Sequence, residues 1–338
     1  MKRWARAAIA ALALLGAAPA PRAPGGQIVD GWYADPEIHR FGRLYWIYPT
    51  TSEAPADAPA PLLNERQRAM RARPGIRPAF LTQTYLDAFS SPDLVHWTRH
   101  AHVLDVAQVG WAAYALRAPS VIRQGGRYYL FFGANDVHPG ETGGIGVAVS
   151  DRPEGPFRDP IGHPLIGTVE NGAQPIDPMA FRDDDGRLYL FYGGWGHLNV
   201  VRLASDLTHL LPFADGRMFR EITPPGYVEG SFMLKRRGVY YLMWSEGGWT
   251  GPDYRVAYAT GPSVLGPFTP RGVILAQDER VARGAGHHSV VRGPGKDEWW
   301  IAYHRRPLGE SAGDHRVLAV DRLVFEADGR IRPVVMTR

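Results

Sequence analysis

Three carboxylates stand apart from the other acids of this sequence because each opens a short apolar run: Asp35 in Tyr33-Ala34-Asp35-Pro36, Asp177 in Ile176-Asp177-Pro178, and Glu229 in Val228-Glu229-Gly230-Ser231. A lone acid at a hairpin mouth usually accepts backbone N–H bonds. Three at corresponding points of a repeated unit suggest chemistry, because crowded carboxylates drive one another's pKa values apart and so furnish an acid beside a base. Glycoside hydrolysis needs that pair: a carboxylic acid protonates the departing oxygen while a carboxylate activates water or attacks carbon. His287 and His288 open another such run, and alternation along a strand would send only one of them toward the acids. Trp195, in Gly193-Gly194-Trp195-Gly196, and Trp249, in Gly247-Gly248-Trp249-Thr250, stand in glycine settings where an indole can stack on a sugar face or pack on a rim.

The elements that would position these residues repeat along the chain. Each acid leads through an apolar run and a turn to an aromatic strand, at residues 45–48, 189–192 and 240–244, and Ser120 and His288 head two further units returning at 128–132 and 299–303. The openings recur every 52 to 59 residues, except for a first interval of 85. That excess is read as an insertion over residues 52–78, which begins as a Pro/Ala-rich linker and carries Arg66, Arg68, Arg71, Arg73 and Arg77. A period of this size with short strands is the pattern of a propeller, so the expected fold is all-β: a five-bladed β-propeller with four-stranded antiparallel blades, as a single catalytic domain over residues 27–338. Every innermost strand of a propeller runs the same way, which gathers the openings around one end of the central channel. The insertion joins a second strand to a third and returns to that same end.

Composition narrows the setting. Residues 1–20 have the form of a secretory signal, with Lys2, Arg3 and Arg6 ahead of an apolar run too short to span a bilayer, so an exported, periplasmic or secreted protein is expected. Without those three, 35 basic residues face 34 acidic ones, which gives no basis for a nucleic-acid surface, and no membrane attachment is expected after cleavage. The absence of cysteine rules out disulfides, thiol catalysis and thiolate metal sites. Asp183-Asp184-Asp185-Gly186 begins like a calcium loop, lacks the remaining ligand spacing, and is read as a solvated turn.

Taken in order, Tyr33-Ala34-Asp35-Pro36, Ile176-Asp177-Pro178, Glu229-Gly230-Ser231-Phe232, Gly284-Ala285-Gly286-His287-His288-Ser289 and Tyr303-His304-Arg305-Arg306-Pro307 resemble glycoside hydrolase family 43 over nearly all of the chain after Gly31. The resemblance implies a five-bladed propeller and an inverting enzyme of the α-L-arabinofuranosidase or β-xylosidase kind, acting on plant cell-wall oligosaccharides or polysaccharides. It further implies that Asp35 is the general base, Glu229 the general acid, and Asp177 the carboxylate that orients Glu229 and keeps its pKa raised. By the same resemblance Arg316 contacts the terminal sugar, and His287 lies near a calcium ion held largely through water. His288, Trp195 and Trp249 complete the expected substrate contacts.

The sequence departs from the family pattern at Arg117-Ala118-Pro119, where a tryptophan commonly precedes Ala-Pro, and in the length of the insertion. Both bear on which sugar is cleaved. Two rival readings are a carbohydrate-binding propeller without catalysis, which would normally have lost an acid, and the fructan-type five-bladed hydrolases, whose opening Asn-Asp-Pro-Asn differs from Ala34-Asp35-Pro36-Glu37.

Overall fold

A computed structural model describes residues 25–137 and 143–338; the signal expected over residues 1–20 lies outside them. The chain opens with β1 (Gly26–Gln27) and then lays down blade I as β2 (Trp32–Phe41), β3 (Leu44–Glu53), β4 (Tyr85–Ser91) and β5 (Thr98–Asp105). Blade II holds β6 (Arg117–Gln124), β7 (Arg127–Ala134) and β8 (Gly144–Ser150), and its fourth position is reduced to two bridges, Ile145 to Ile166 and Val149 to Arg158. Blade III holds β9 (Met179–Arg182), β10 (Leu188–Tyr192) and β11 (Asn199–Leu203), with β12 (Leu210–Leu211) and β13 (Arg220–Glu221) sharing the outer edge. Blade IV is β14 (Glu229–Arg236), β15 (Val239–Glu246), β16 (Arg255–Gly261) and β17 (Thr269–Leu275). Blade V is β18 (Ala282–Arg292), β19 (Trp299–Pro307) and β20 (Val317–Leu323), and β1 pairs antiparallel with β20 as its fourth strand. The expected five four-stranded antiparallel blades are present, and the first and last parts of the propeller are tied together within one sheet.

The alternating apolar residues pack between blades. Trp46 and Tyr48 of blade I meet Val121 and Phe132 of blade II, Val147 meets Tyr192 of blade III, and Ile38 and Ile47 meet Trp300 and Leu318 of blade V. The first strands touch one another in cyclic order, β2 to β6 to β9 to β14 to β18 and back to β2. Serines stitch this ring: Ser289 Oγ accepts from the Ile38 N–H at 2.8 Å and donates to the Pro36 carbonyl, and Ser120 Oγ accepts from the Ala180 N–H at 2.9 Å.

A backbone feature of the ring sets the site. Asp35, Ala118, Asp177, Gly230 and His287, one from each blade, all have positive φ, between 40° and 63°. Bulges interrupt the pairing at these points in β2, β6, β14 and β18, so the strands bend there and re-aim the side chains around them. A left-handed conformation in a non-glycine residue costs about 1 kcal/mol or more, and its recurrence at one level marks a built feature. It also corrects the sequence alignment of the openings. Asp35 and Asp177 occupy the equivalent position, whereas Glu229 precedes the Gly230 that occupies it in blade IV.

The insertion is ordered and partly helical, and runs from Ala54 to Thr84 rather than over 52–78, since Ser52 and Glu53 belong to β3. Its first helix, α1 (Glu65–Arg71), has an Asn64/Gln67 capping box. The buried Gln67 amide also donates to the carbonyls of Val106, Val109 and Ala112, which fastens α1 to the link between blades I and II. The second helix, α2 (Pro78–Thr82), packs Phe80 with Met70, Ala113, Tyr114 and Ala115 in a small apolar cluster. Among the described residues no helix is long and apolar enough to cross a membrane.

Candidate active site

Asp35, Asp177 and Glu229 line one pocket of about 380 Å³, together with His287, Arg316, Trp195, Trp249 and three residues of the insertion segment, Arg77, Phe80 and Gln83. The expectation that the insertion borders the channel mouth therefore holds. Asp35 is buried and crowded by polar partners: Arg316 Nη1 and His287 Nδ1 each lie 3.3 Å from Oδ1, and the Thr50 hydroxyl donates to Oδ2 at 2.8 Å. Burial opposes ionisation here, but His287 and Arg316 outweigh it and hold the Asp35 carboxyl well below the usual carboxylate range. His304 Nδ1 accepts the Asp35 backbone N–H at 3.1 Å, and burial pushes its pKa down to about 4, so this imidazole is a neutral clamp on the Asp35 backbone.

The other two acids are displaced in the opposite direction. Burial, followed by repulsion from Asp177, pushes Glu229 up to about 7, although the Tyr254 hydroxyl donates to its Oε1 at 2.9 Å. Burial, followed by repulsion from Asp35, pushes Asp177 up to about 7 against the pull of Arg117 and the Gly230 N–H. Two glycines make room for this cluster. A Cβ at Gly286 would lie 2.3 Å from the Tyr254 ring, which stacks on His304, and a Cβ at Gly230 would lie 3.2 Å from the His287 ring. The arrangement sets one ionised carboxylate against a pair that retains a proton near neutrality, which is the division of labour required of a base and an acid.

The remaining expected contacts divide. Arg316 reaches Asp35 and also donates to the Ser52 hydroxyl at 3.0 Å, which fixes its guanidinium at the pocket wall. Trp195 is 44% exposed and faces the pocket, whereas the Trp249 ring is already engaged by the guanidinium groups of Arg77 and Arg316, each 4.9 Å from its centre. His288 is not among the residues lining this pocket. The bulge at His287 turns it into a cavity of about 20 Å³ beneath the acids, where its Nε2 meets Met243 Sδ at 3.3 Å. Burial pushes it down to about 3, so its place is that of a neutral core residue rather than a substrate contact.

The lower cavity also bears on calcium. Its volume of about 20 Å³ is on the scale of one water molecule, and the described residues contain no group of three His, Asp or Glu able to hold a metal. A calcium ion surrounded by six to eight oxygens does not fit that space; the water-held ion expected near His287 would sit in the larger pocket that His287 also lines, and no step below runs through one. Asp183, expected in a solvated turn, is instead buried, accepting from Lys235 Nζ at 2.8 Å and from the Tyr240 hydroxyl at 2.6 Å, and it ties blade III to blade IV. Arg117, Asp136, Gln174, Phe80 and Tyr254 took no part in the site expected from the sequence, although Arg117 was visible there as a departure from the family pattern.

Comparison with known proteins follows the same line. The model for glycosyl hydrolases family 43 matches residues 26–331. A beta-D-galactofuranosidase, xynD of Aspergillus niger, is 41% identical over 93% of this chain and 85% of its own. A xylosidase/arabinosidase of Bacteroides ovatus is 32% identical over 90% of this chain and 95% of its own. Among solved structures, an alpha-L-arabinofuranosidase of Clostridium thermocellum superposes with a TM-score of 0.70 at 27% identity, covering 90% of this chain and 94% of that one. A beta-xylosidase/alpha-arabinofuranosidase from a compost metagenome, complexed with xylotriose, gives a TM-score of 0.70 at 28% identity over 91% and 98%. The chain belongs to glycoside hydrolase family 43 and is a glycoside hydrolase.

Proposed function

We propose that this glycosidase removes one terminal glycosyl residue from an oligosaccharide or polysaccharide with inversion at the anomeric carbon. The observation that carries the reading is the opposite displacement of carboxylates sharing one pocket, Asp35 far down and Glu229 up to about 7. Asp35, ionised, takes a proton from a water molecule as its oxygen attacks the anomeric carbon. Glu229, protonated, delivers its proton to the glycosidic oxygen as the carbon–oxygen bond breaks. Asp35 finishes protonated and Glu229 ionised, and exchange with solvent restores both. Asp177 contributes the negative charge that keeps the proton on its neighbour until the leaving oxygen needs it.

The sugar belongs to the class handled by the relatives, a terminal α-L-arabinofuranosyl or β-D-xylosyl group or the hexofuranose analogue named for the Aspergillus protein. Attack at a chain end is supported by the insertion, which brings Arg77 and Phe80 to the pocket wall and anchors Arg77 to Asp314 at 3.1 Å. A pocket closed on one side admits a terminus, and an open groove admits a chain interior. Export, expected from residues 1–20, would bring such an enzyme to its polymeric substrate. Replacing residues 55–81 by a short Gly-Ser link, or Arg77 and Phe80 by alanine, is expected to raise activity on polymer relative to aryl glycoside. An unchanged ratio in variants that fold would remove the insertion from the explanation of chain-end attack.

A further inference from the structure

The pocket has a second polar wall that acid and base chemistry does not use. Arg117, at the start of β6, donates through Nη2 to Asp136 Oδ1 at 2.8 Å, and its guanidinium lies 5.0 Å from the centre of the Phe80 ring. Held between a carboxylate and a ring, it keeps one orientation. Its Nε, buried, has no hydrogen-bond partner among the described residues, although such a buried donor is normally matched. Beside it stands Gln174, buried, whose Nε2 donates to the Val137 carbonyl at 3.0 Å and so turns the amide oxygen the other way. Arg117, Asp136 and Gln174 all line the pocket that holds the acids. The wall therefore offers a fixed cationic donor next to an amide acceptor.

Hydroxyl groups both donate and accept, and a pair on adjacent carbons matches such a wall. A carboxylated sugar does not: Arg117 is already neutralised by Asp136, and Asp35, Asp177 and Glu229 make the rest of the pocket hostile to another anion. We infer that Arg117 and Gln174 form a specificity wall for the exocyclic vicinal diol of a terminal hexofuranosyl group, so that this enzyme prefers hexofuranosides to pentosides. The inference rests on the terminal-glycosidase reading above and narrows its substrate. A pentofuranosyl group ends in a single hydroxymethyl and leaves the wall half unmatched. A site built to bond a hydroxyl rejects an analogue lacking it far more strongly than an apolar pocket rejects a missing methylene.

The test uses two nitrophenyl glycosides, the β-D-galactofuranoside and the α-L-arabinofuranoside, whose rings share one configuration and which differ by a single CHOH unit. For the full-length enzyme kcat/KM is expected to favour the galactofuranoside. Arg117→Met should lower the ratio of the two kcat/KM values by roughly 100-fold, since one buried polar contact discriminates on that scale or above. Gln174→Leu should lower it in the same direction. The ratio is the readout because Arg117 also pulls on the charges of Asp177 and Glu229, an effect common to both substrates. Arabinofuranoside preference in the unaltered enzyme, or variants that lose both activities in equal proportion, would overturn the inference. Preferential cleavage of a xyloside would overturn it while leaving the acid and base assignment standing, and that assignment fails separately if Asp35→Asn retains full activity on its best substrate.

Discussion

Asp35 and Glu37 lie two residues apart on β2, both buried, yet one stands at the mouth of the central channel and the other on its floor. Glu37 spends its oxygens on the next blade and on its own strand: the Ser120 hydroxyl donates to it at 2.7 Å, the Val121 N–H donates, and His39 Nε2 lies 2.9 Å away. Asp35 is surrounded by Arg316, His287 and His304 and opens on the pocket. An acid whose acceptor sites are filled by a neighbouring blade is a joint between blades. One that is held ionised beside a guanidinium while facing a cavity is available for chemistry. Burial alone does not distinguish them; the identity of the partners does.

Substitution should separate the two acids most sharply. Asp35→Asn is expected to lower turnover by roughly 10²–10⁴-fold with little change in unfolding midpoint, whereas Glu37→Gln should cost about 2 kcal/mol of stability through a lost charged hydrogen bond and leave the pH profile unaltered. Glu229→Gln should match Asp35→Asn on substrates with poor leaving groups and recover with dinitrophenyl glycosides, because a good leaving group needs no proton. Equal recovery of both variants would mean the roles are misassigned, and recovery of Asp35→Asn alone would mean they are interchanged. These outcomes are read from kcat with a leaving-group series and from thermal unfolding of the same preparations.

A smaller effect sharpens the comparison within the mouth itself. As the proposed acid, Glu229 must be protonated, so activity should fall as pH rises through the region near 7 to which Glu229 is pushed, while the depressed pKa of Asp35 keeps the proposed base ionised well into acid. Asp177→Asn removes a negative charge that raises Glu229, so the alkaline limb of kcat/KM should move to lower pH. A limb that stays in place, or moves upward, would deny Asp177 that influence.

The propeller was legible because its signal is repetition: an opening, a Gly-closed turn and an aromatic strand recur, and each run of alternation is long enough to declare a strand. Asp35 and Asp177 were legible for the same reason, each followed by proline at equivalent points. The single-residue offset of Glu229 was not, because the ring position is occupied by Asp, Ala, Asp, Gly and His in turn, and no pattern of side chains marks a shared positive φ. Alternation was right that only one of the two histidines faces the acids, but it could not say that His288 would be the one turned away, toward Met243. Tyr254 and Gln174 could not be found at all; their contacts with Glu229 and with the wall beside Arg117 are made between strands and loops distant in the chain. Asp183 looked like a turn acid beside two others, and only packing against Lys235 and Tyr240 distinguishes it from the exposed Asp184 and Asp185.

The central claim is that Asp35 directs water to the anomeric carbon from the side opposite the bond that Glu229 helps to break. Proton NMR of the sugar released in the first turnovers, recorded before mutarotation on the best aryl glycoside, tests it directly. The account requires the first-formed anomer to be opposite to that of the substrate. A first-formed sugar with the substrate's own configuration would require a carboxylate nucleophile and a glycosyl-enzyme intermediate, and would contradict the assignment of Asp35 as a base.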